Sequence, residues 1–198
     1  MQAQSPEYNG TAKILHWLIA LVLVVMLVLG WLMTAGDILD GHGKSVAMQA
    51  HISIGMIVLT LGLLRLVWRL LNPPPQLPAF MPRWEKVAAQ AVHWILYSLI
   101  LIMPLVGWMI ISTMSHNALF FGLFPIPNLP VLHDLPNKKD IREVLENIHW
   151  LLAWVIVAFV GLHAGAAMKH HFIERDDILL RMTPRLFGRI LHRLRGSA

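Results

Sequence analysis

Four long apolar segments, separated by polar stretches, dominate the pattern of hydrophobic and polar positions along the chain. They cover residues 14–35, 46–71, 87–112 and 147–168. Each segment reaches the roughly 20 residues that an α-helix needs to cross the hydrocarbon core of a bilayer. The pattern therefore predicts an all-α fold, an integral membrane four-helix bundle that occupies residues 1–184 as one domain.

Composition agrees with this interpretation, and the distribution of charge adds an orientation. Of the 198 residues, 57% are hydrophobic and 14% are charged, whereas soluble domains carry about 25% charged residues. Four of the 16 lysines and arginines lie on one side of the predicted bundle and the other twelve on the opposite side. Because basic residues concentrate on the cytoplasmic side of membrane proteins, both termini are expected in the cytoplasm. The net charge of +5 is thus a topology signal, and no nucleic-acid partner is expected.

The chain contains no cysteine. This excludes disulfides, iron–sulfur clusters held by thiolates and the covalent attachment of a c-type haem. Any haem in this protein must therefore be bound non-covalently.

Five histidines lie inside the apolar segments, where an unpartnered imidazole costs roughly 2–7 kcal/mol. They are His16, His51, His93, His149 and His163. The direction of each helix predicts two layers, an outer one with His51 and His149 and an inner one with the other three. The fourteen residues between His149 and His163 correspond to about 21 Å of helix rise, so these two cannot bind one metal ion.

Two layers of buried histidines from different helices suit two b-type haems, each with one imidazole above and one below the macrocycle. The outer haem then has one available pair, whereas spacing alone leaves the inner pair open among His16, His93 and His163. The alternative is that each histidine merely bonds a neighbouring helix. Five glycines allow either close approach of a macrocycle or close helix packing: Gly55, Gly62, Gly107, Gly161 and Gly165.

Arg65 follows His51 by fourteen residues, which places it on the same helix face but in the inner layer. It either pairs with a propionate of the inner haem or extends to the cytoplasmic surface. His170 follows His163 by seven residues, about 10 Å nearer the cytoplasm. An imidazole there, with Lys169 and Glu174 beside it, suits proton transfer from the cytoplasm; the alternative is a polar helix end that anchors at the headgroups.

The C-terminal residues 185–198 form a basic tail with arginines one helical turn apart, at positions 185, 189 and 193. This spacing predicts an interfacial helix that binds the anionic membrane lipid of the cytoplasmic leaflet. A helix that docks a partner protein is the alternative.

Several motifs together resemble the prokaryotic cytochrome b561 family of small di-haem membrane cytochromes. They are "HW" at residue 16, "HISIG" at residue 51 followed by Arg65, "VHWILY", "FGLFPIPNLP" and "GLHAGAAMKHHFIERDDILLRMTP". The resemblance covers residues 10 to 184, and the last motif is the most specific.

The resemblance implies two non-covalent b-type haems, one between His16 and His163 and one between His51 and His149, with these four histidines as iron ligands. His93 is then a neighbour of the inner haem or quinone, and His170 is the quinone contact. The implied enzymatic activity is that of an oxidoreductase that oxidises superoxide on the outer side and reduces ubiquinone. An electron-transfer subunit that serves a separate protein donor is the alternative, and a metal or proton transporter is a third, non-redox class.

Overall fold

Four long helices make up most of the computed structural model, which describes residues 7–36, 38–133, 135–184, 187–188, 190–191 and 194. In chain order its elements are α1 (Gly10–Thr34), α2 (Gly41–Leu71), α3 (Arg83–Ser112), β1 (Leu119–Phe120), β2 (Phe124–Pro125), α4 (Pro130–His133), α5 (Lys138–Met168), a π-helical turn (Lys169–Ile173) and α6 (Ile178–Met182). The helices α1, α2, α3 and α5 are each long and apolar enough to cross a membrane. The predicted all-α membrane bundle is therefore confirmed.

The helices begin earlier than the apolar segments do, because polar residues cap and extend their first turns. The Asn9 side chain accepts a hydrogen bond from the backbone N–H of Ala12 at 2.9 Å, and Asp40 accepts one from Gly43 at 2.6 Å. Each cap satisfies a donor that the first turn of a helix leaves free. The C-terminal ends of α1, α2, α3 and α5 fall within one residue of the ends of the apolar segments.

Packing within the bundle follows chain order. Helix α1 packs against α2, α2 against α3, and α3 against α5. At the α2–α3 contact a Cβ added to Gly62 would lie 2.8 Å from Cγ2 of Ile100, so this glycine allows the close approach. Among the described residues, α5 makes no comparable contact with α1 or α2. Large apolar side chains such as Ile14, Leu21 and Trp150 are exposed on the outside of the bundle, as side chains that face lipid are.

We call the end of the bundle with α6 and the start of α1 the terminal end, and the opposite end, with β1 and β2, the hairpin end. At the hairpin end the backbone N–H of Phe121 donates to Oγ of the fully buried Ser53 at 2.8 Å, and the Trp108 indole donates to the carbonyl of Pro127 at 2.8 Å. Phe121 and Gly122 both have positive φ, 48° and 76°, which is the geometry of a tight hairpin turn. The loop is thus an anchored cap over the bundle.

At the terminal end the segment after α5 folds back onto the start of α1. The buried Lys13 ammonium donates to Glu7 at 2.6 Å and to the carbonyl of Thr183 at 3.1 Å. The indole of Trp17 donates to the carbonyl of Met182 at 3.0 Å. These contacts hold residues 182–183 against α1.

Candidate functional site

The predicted outer histidines meet near the hairpin end. The ring centres of His51, on α2, and His149, on α5, lie 6.1 Å apart with an angle of 66° between the ring planes. Both Nδ1 atoms are buried and, within the described residues, have no hydrogen-bond partner. Burial without a partner is costly for a polar atom, so these rings are placed where a ligand is expected.

The other three histidines meet towards the terminal end. The ring centre of His163, on α5, lies 6.0 Å from that of His16, on α1, and 5.3 Å from that of His93, on α3. The structure therefore brings together the three residues that sequence spacing left as candidates for the inner site.

Both interhelical pairs have a spacing that fits an iron ion held between two imidazoles. With metal–nitrogen distances of about 2 Å, the centres of two rings on opposite sides of one iron lie about 6 Å apart. The pairs His16–His163 and His51–His149, at 6.0 and 6.1 Å, match this value more closely than His93–His163 does at 5.3 Å.

The packing of the helices also fits a flat cofactor between these rings. Each matching pair joins α5 to α1 or to α2, and these are the helices against which α5 does not pack closely in the described residues. Gly107 lies beside one pair, because a Cβ added there would be 3.4 Å from Cε1 of His149. The donor set, the ring spacing and the less close packing of α5 against α1 and α2 are thus compatible with b-type haem.

The remaining glycines differ in their surroundings. Gly62 serves the α2–α3 contact, and a Cβ on Gly55 would lie 3.7 Å from the methyl group of Met26. A Cβ on Gly161 or Gly165 would meet nothing within 4 Å. Close helix packing therefore explains Gly62, whereas Gly161 and Gly165 have the open surroundings that close approach of a macrocycle requires.

Arg65 lies against the inner histidines. Its guanidinium donates to the carbonyl of Ala12 at 3.1 Å and to Nδ1 of His16 at 3.2 Å, and its Cζ lies 5.7 Å from the ring centre of Tyr97. A guanidinium only donates hydrogen bonds, so Nδ1 of His16 is the acceptor in this contact. Arg65 is turned towards the bundle interior, where an anionic group would balance its charge.

A cavity of about 310 Å³ opens at the terminal end, between the loop before α3 and the π-helical turn. Its lining combines an apolar side and a polar side: Phe80, Met81, Pro82, Glu85, His170 and Glu174. Apolar side chains next to polar groups are typical of sites for small organic ligands.

Charged side chains around His170 form a network on the polar side of this cavity. Nδ1 of His170 lies 2.5 Å from Glu174 and 2.7 Å from Asp176. Lys169 pairs with Glu85 at 3.0 Å and with Glu174 at 2.6 Å. The hydrogen bond from Lys169 lowers the pKa of Glu174, so this carboxyl is ionised at neutral pH.

The same network brings one ligand atom each of Glu85, His170 and Glu174 within 4.8 Å of one another. Two carboxylates and an imidazole are a donor set that can bind a metal ion. Here Lys169 already compensates both glutamates. The arrangement therefore fits a network that exchanges protons better than it fits a metal site.

Sequence reasoning missed two members of this network, Glu85 and Asp176. Glu85 lies 84 residues before Lys169, and only the folding of α3 against α5 brings the two together. Asp176 lies six residues after His170, beyond the spacing that places two side chains on one helix face, and a turn brings it back. His171, which adjoins the expected proton donor, is fully buried and bonds the carbonyl of Leu191 at 3.3 Å.

The predicted basic tail is only partly described. Its arginines at positions 185, 189 and 193 lie outside the described residues. Phe187, Ile190 and Leu194 are more than half exposed. Their spacing places them on one helix face, as expected for a helix that contacts lipid.

Comparisons with known proteins find similarity over nearly the whole chain. A family model described as prokaryotic cytochrome b561 matches residues 7–185. Cytochrome b561 homolog 2 of Escherichia coli (strain K12) is 34% identical over 180 residues, 90% of this chain and 92% of that protein. A probable superoxide oxidase CybB of Yersinia pestis is 30% identical over 177 residues, 88% of this chain and 94% of that protein. A probable Ni/Fe-hydrogenase B-type cytochrome subunit of Bradyrhizobium diazoefficiens is 21% identical over 212 residues, 88% of this chain and 82% of that protein.

Proposed function

The chain belongs to the prokaryotic cytochrome b561 family of membrane b-type cytochromes, and from that premise we propose that it is a superoxide:quinone oxidoreductase. Two superoxide anions each give up one electron and become dioxygen. One quinone, ubiquinone in this proposal, takes up the two electrons and two protons and becomes quinol. A relative named as a probable superoxide oxidase, similar over most of its length, supports this choice of donor.

Two non-covalent b-type haems, which supply one-electron transfer at iron, complete the proposal. His51 and His149 hold one, and His16 and His163 hold the other, because these two pairs share nearly the same ring spacing of 6.1 and 6.0 Å. His93, whose ring is 5.3 Å from that of His163, shields the inner haem rather than binding its iron.

Arg65 has a separate role towards the inner haem in this proposal. Its guanidinium lies inside the bundle beside the inner histidine pair, 3.2 Å from Nδ1 of His16. A haem propionate would supply the anionic partner that a desolvated guanidinium requires. Arg65 therefore orients the haem and compensates its negative charge.

The quinone site in this proposal is the cavity at the terminal end. Phe80, Met81 and Pro82 cover one face of the quinone ring, and His170 donates the protons that quinone reduction consumes. Lys169, which is paired with Glu85 and Glu174, holds the two carboxylates in place and passes protons from the water phase.

The proposed orientation places the terminal end in the cytoplasm and the hairpin end outside, in the bacterial inner membrane, following the distribution of basic residues. Electrons then move inward against a negative-inside potential, at a cost of roughly 2.3 kcal/mol per 100 mV. A strongly reducing donor such as superoxide supplies this energy.

The observation that carries the proposal is the pair of interhelical imidazole contacts, one at each level of the bundle. The test is to add superoxide to the purified, oxidised protein and to follow the absorption band of reduced haem with and without quinone. We expect rapid reduction, followed by reoxidation when quinone is present. Haems that stay oxidised although quinone binds would refute the superoxide activity.

Histidine variants test the ligand assignment in the same preparation. His51→Ala and His163→Ala should each lose one of two haems, whereas His116→Ala, an exposed histidine outside both pairs, should keep both. A wild-type protein that binds a single haem when fully loaded would contradict the two-haem proposal.

A second candidate function is that of an electron-transfer subunit with a separate protein donor. The similarity to a probable hydrogenase cytochrome subunit favours it, at the lower identity of 21%. It predicts haems that superoxide does not reduce but that a reduced partner protein does.

A further inference from the structure

We propose that Asp176 is the positioning residue of His170, holding its Nδ1–H so that Nε2 is the nitrogen that serves the quinone. This inference rests on the proposed function, since it names the group that orients the proton donor of that quinone site. Oδ2 of Asp176 lies 2.7 Å from Nδ1 of His170, and the two side chains are only 7% and 12% exposed. A carboxylate that accepts from one ring nitrogen sets the tautomer and leaves the other nitrogen for chemistry.

Both the backbone and the side chain of Asp176 are fixed. Its N–H donates to the carbonyl of His170 at 3.1 Å, and its Oδ1 accepts from the N–H of Ile178 at 3.0 Å. The preceding Arg175 has a φ of 56°, an uncommon conformation for a residue with a side chain. This turn reverses the chain directly after the π-helical turn and brings Asp176 against the imidazole.

Glu174 contacts the same ring nitrogen but is held less firmly. Its side chain is 30% exposed, and its carboxylate is shared with Lys169 at 2.6 Å. One N–H bonds strongly to one acceptor, so the two carboxylates compete for it. Asp176, which is more buried and held by backbone contacts, is the better placed to keep the ring orientation while Glu174 exchanges protons with Lys169 and water.

The charged groups around His170 within the described residues come from two parts of the chain. Glu85 comes from α3, and Lys169, Glu174 and Asp176 come from the π-helical turn and the segment after it. Two of these carboxylates, those of Glu174 and Asp176, contact the ring of His170 directly.

The proton transfer then proceeds at one nitrogen. Nε2–H of the protonated imidazole gives its proton to a quinone oxygen, while Nδ1–H stays bonded to Asp176. The neutral ring, with Nε2 as acceptor, takes the next proton from water through the network. Two such transfers, with the two electrons from superoxide, convert one quinone into quinol.

The test uses the full-length, haem-loaded protein and measures kcat and KM for ubiquinone across pH. Asp176→Asn keeps an acceptor for Nδ1–H but removes the charge that stabilises the imidazolium. We expect kcat to fall about tenfold with little change in KM, and the alkaline limb of the kcat profile to move about one pH unit lower. Asp176→Glu should restore most of the rate.

Asp40→Asn is the matched control. Asp40 accepts a hydrogen bond from the backbone N–H of Gly43, three residues ahead, much as Asp176 accepts from Ile178, but it does not contact the site. Its rate and pH profile should equal those of the wild type. A wild-type rate and pH profile in Asp176→Asn, with unchanged haem spectra, would overturn the proposal.

A second measurement separates this inference from the proposed function. The ¹⁵N signals of the His170 ring, identified by their loss in His170→Gln, report its tautomer without quinone turnover. At alkaline pH the wild type should show Nδ1–H, and the opposite tautomer would refute the positioning role. A wild type that shows Nδ1–H but does not reduce quinone would refute the proposed function alone.

Discussion

Gly62 offers the sharpest test of how the bundle is packed, because α3 lies directly against it. A Cβ at this position would lie 2.8 Å from Cγ2 of Ile100 and 3.1 Å from Cδ2 of Leu101. Ordinary carbon contacts are about 3.5–4.0 Å. In Gly62→Ala both side chains must therefore move, or the two helices must separate.

The magnitude follows from two opposing effects. Overpacking of this kind costs about 1–3 kcal/mol, whereas replacing glycine by alanine inside a helix gains about 1 kcal/mol. We expect Gly62→Ala to lower the free energy of unfolding by up to about 2 kcal/mol. Gly55→Ala, two turns earlier on α2, should be neutral or stabilising, because its nearest neighbour, the methyl of Met26, is 3.7 Å away.

The assay is thermal unfolding of the haem-loaded protein in detergent, followed by loss of the haem absorption band. The ranking of the two variants is the result that matters, since both carry the same chemical change. If Gly62→Ala were as stable as Gly55→Ala, Gly62 and Ile100 would not be in close contact.

Three further predictions address the hairpin end, the charge network and the tail. Ser53→Ala leaves the partly buried N–H of Phe121 without its acceptor at 2.8 Å, and thermal unfolding should show a loss of about 0.5–1.5 kcal/mol. The lowered pKa of Glu174 means that its bond to Lys169 stabilises the fold above pH 4.5, the ordinary pKa, and that this stabilisation is lost as the pH falls through the lowered pKa. The unfolding curves of Glu174→Gln and wild type should therefore converge at acid pH. A stability difference that grows at acid pH would contradict the lowered pKa. Deletion of residues 185–198 should leave the haem spectrum unchanged, and loss of a haem would show that the tail does more than bind lipid.

The depths of the histidines in the membrane could be predicted from the sequence alone. Helix rise is constant, so the fourteen residues between His149 and His163 determine two levels before any packing is known. The rings of His51 and His149 do meet at one level, and those of His16, His93 and His163 at the other. The assignment of four of these histidines to iron stays a prediction.

The cavity could not be predicted from the sequence in the same way. His170 was singled out by its distance from His163, but Glu85 and Asp176 were not, because their approach depends on the packing of α3 and on the turn at Arg175. Neither the rotation of one helix against another nor a local reversal of the chain leaves a periodic signal in the sequence.

The sequence by itself determined the four membrane helices and the two histidine levels, since both follow from hydrophobic length and a fixed rise per residue. Only the tertiary structure decided that, among the described residues, α5 packs closely against α3 but not against α1 or α2, with which its histidines pair. It also decided which charges surround His170. The physical reason is that lateral packing depends on contacts between distant side chains, such as Gly62 with Ile100, and a one-dimensional pattern does not contain those contacts.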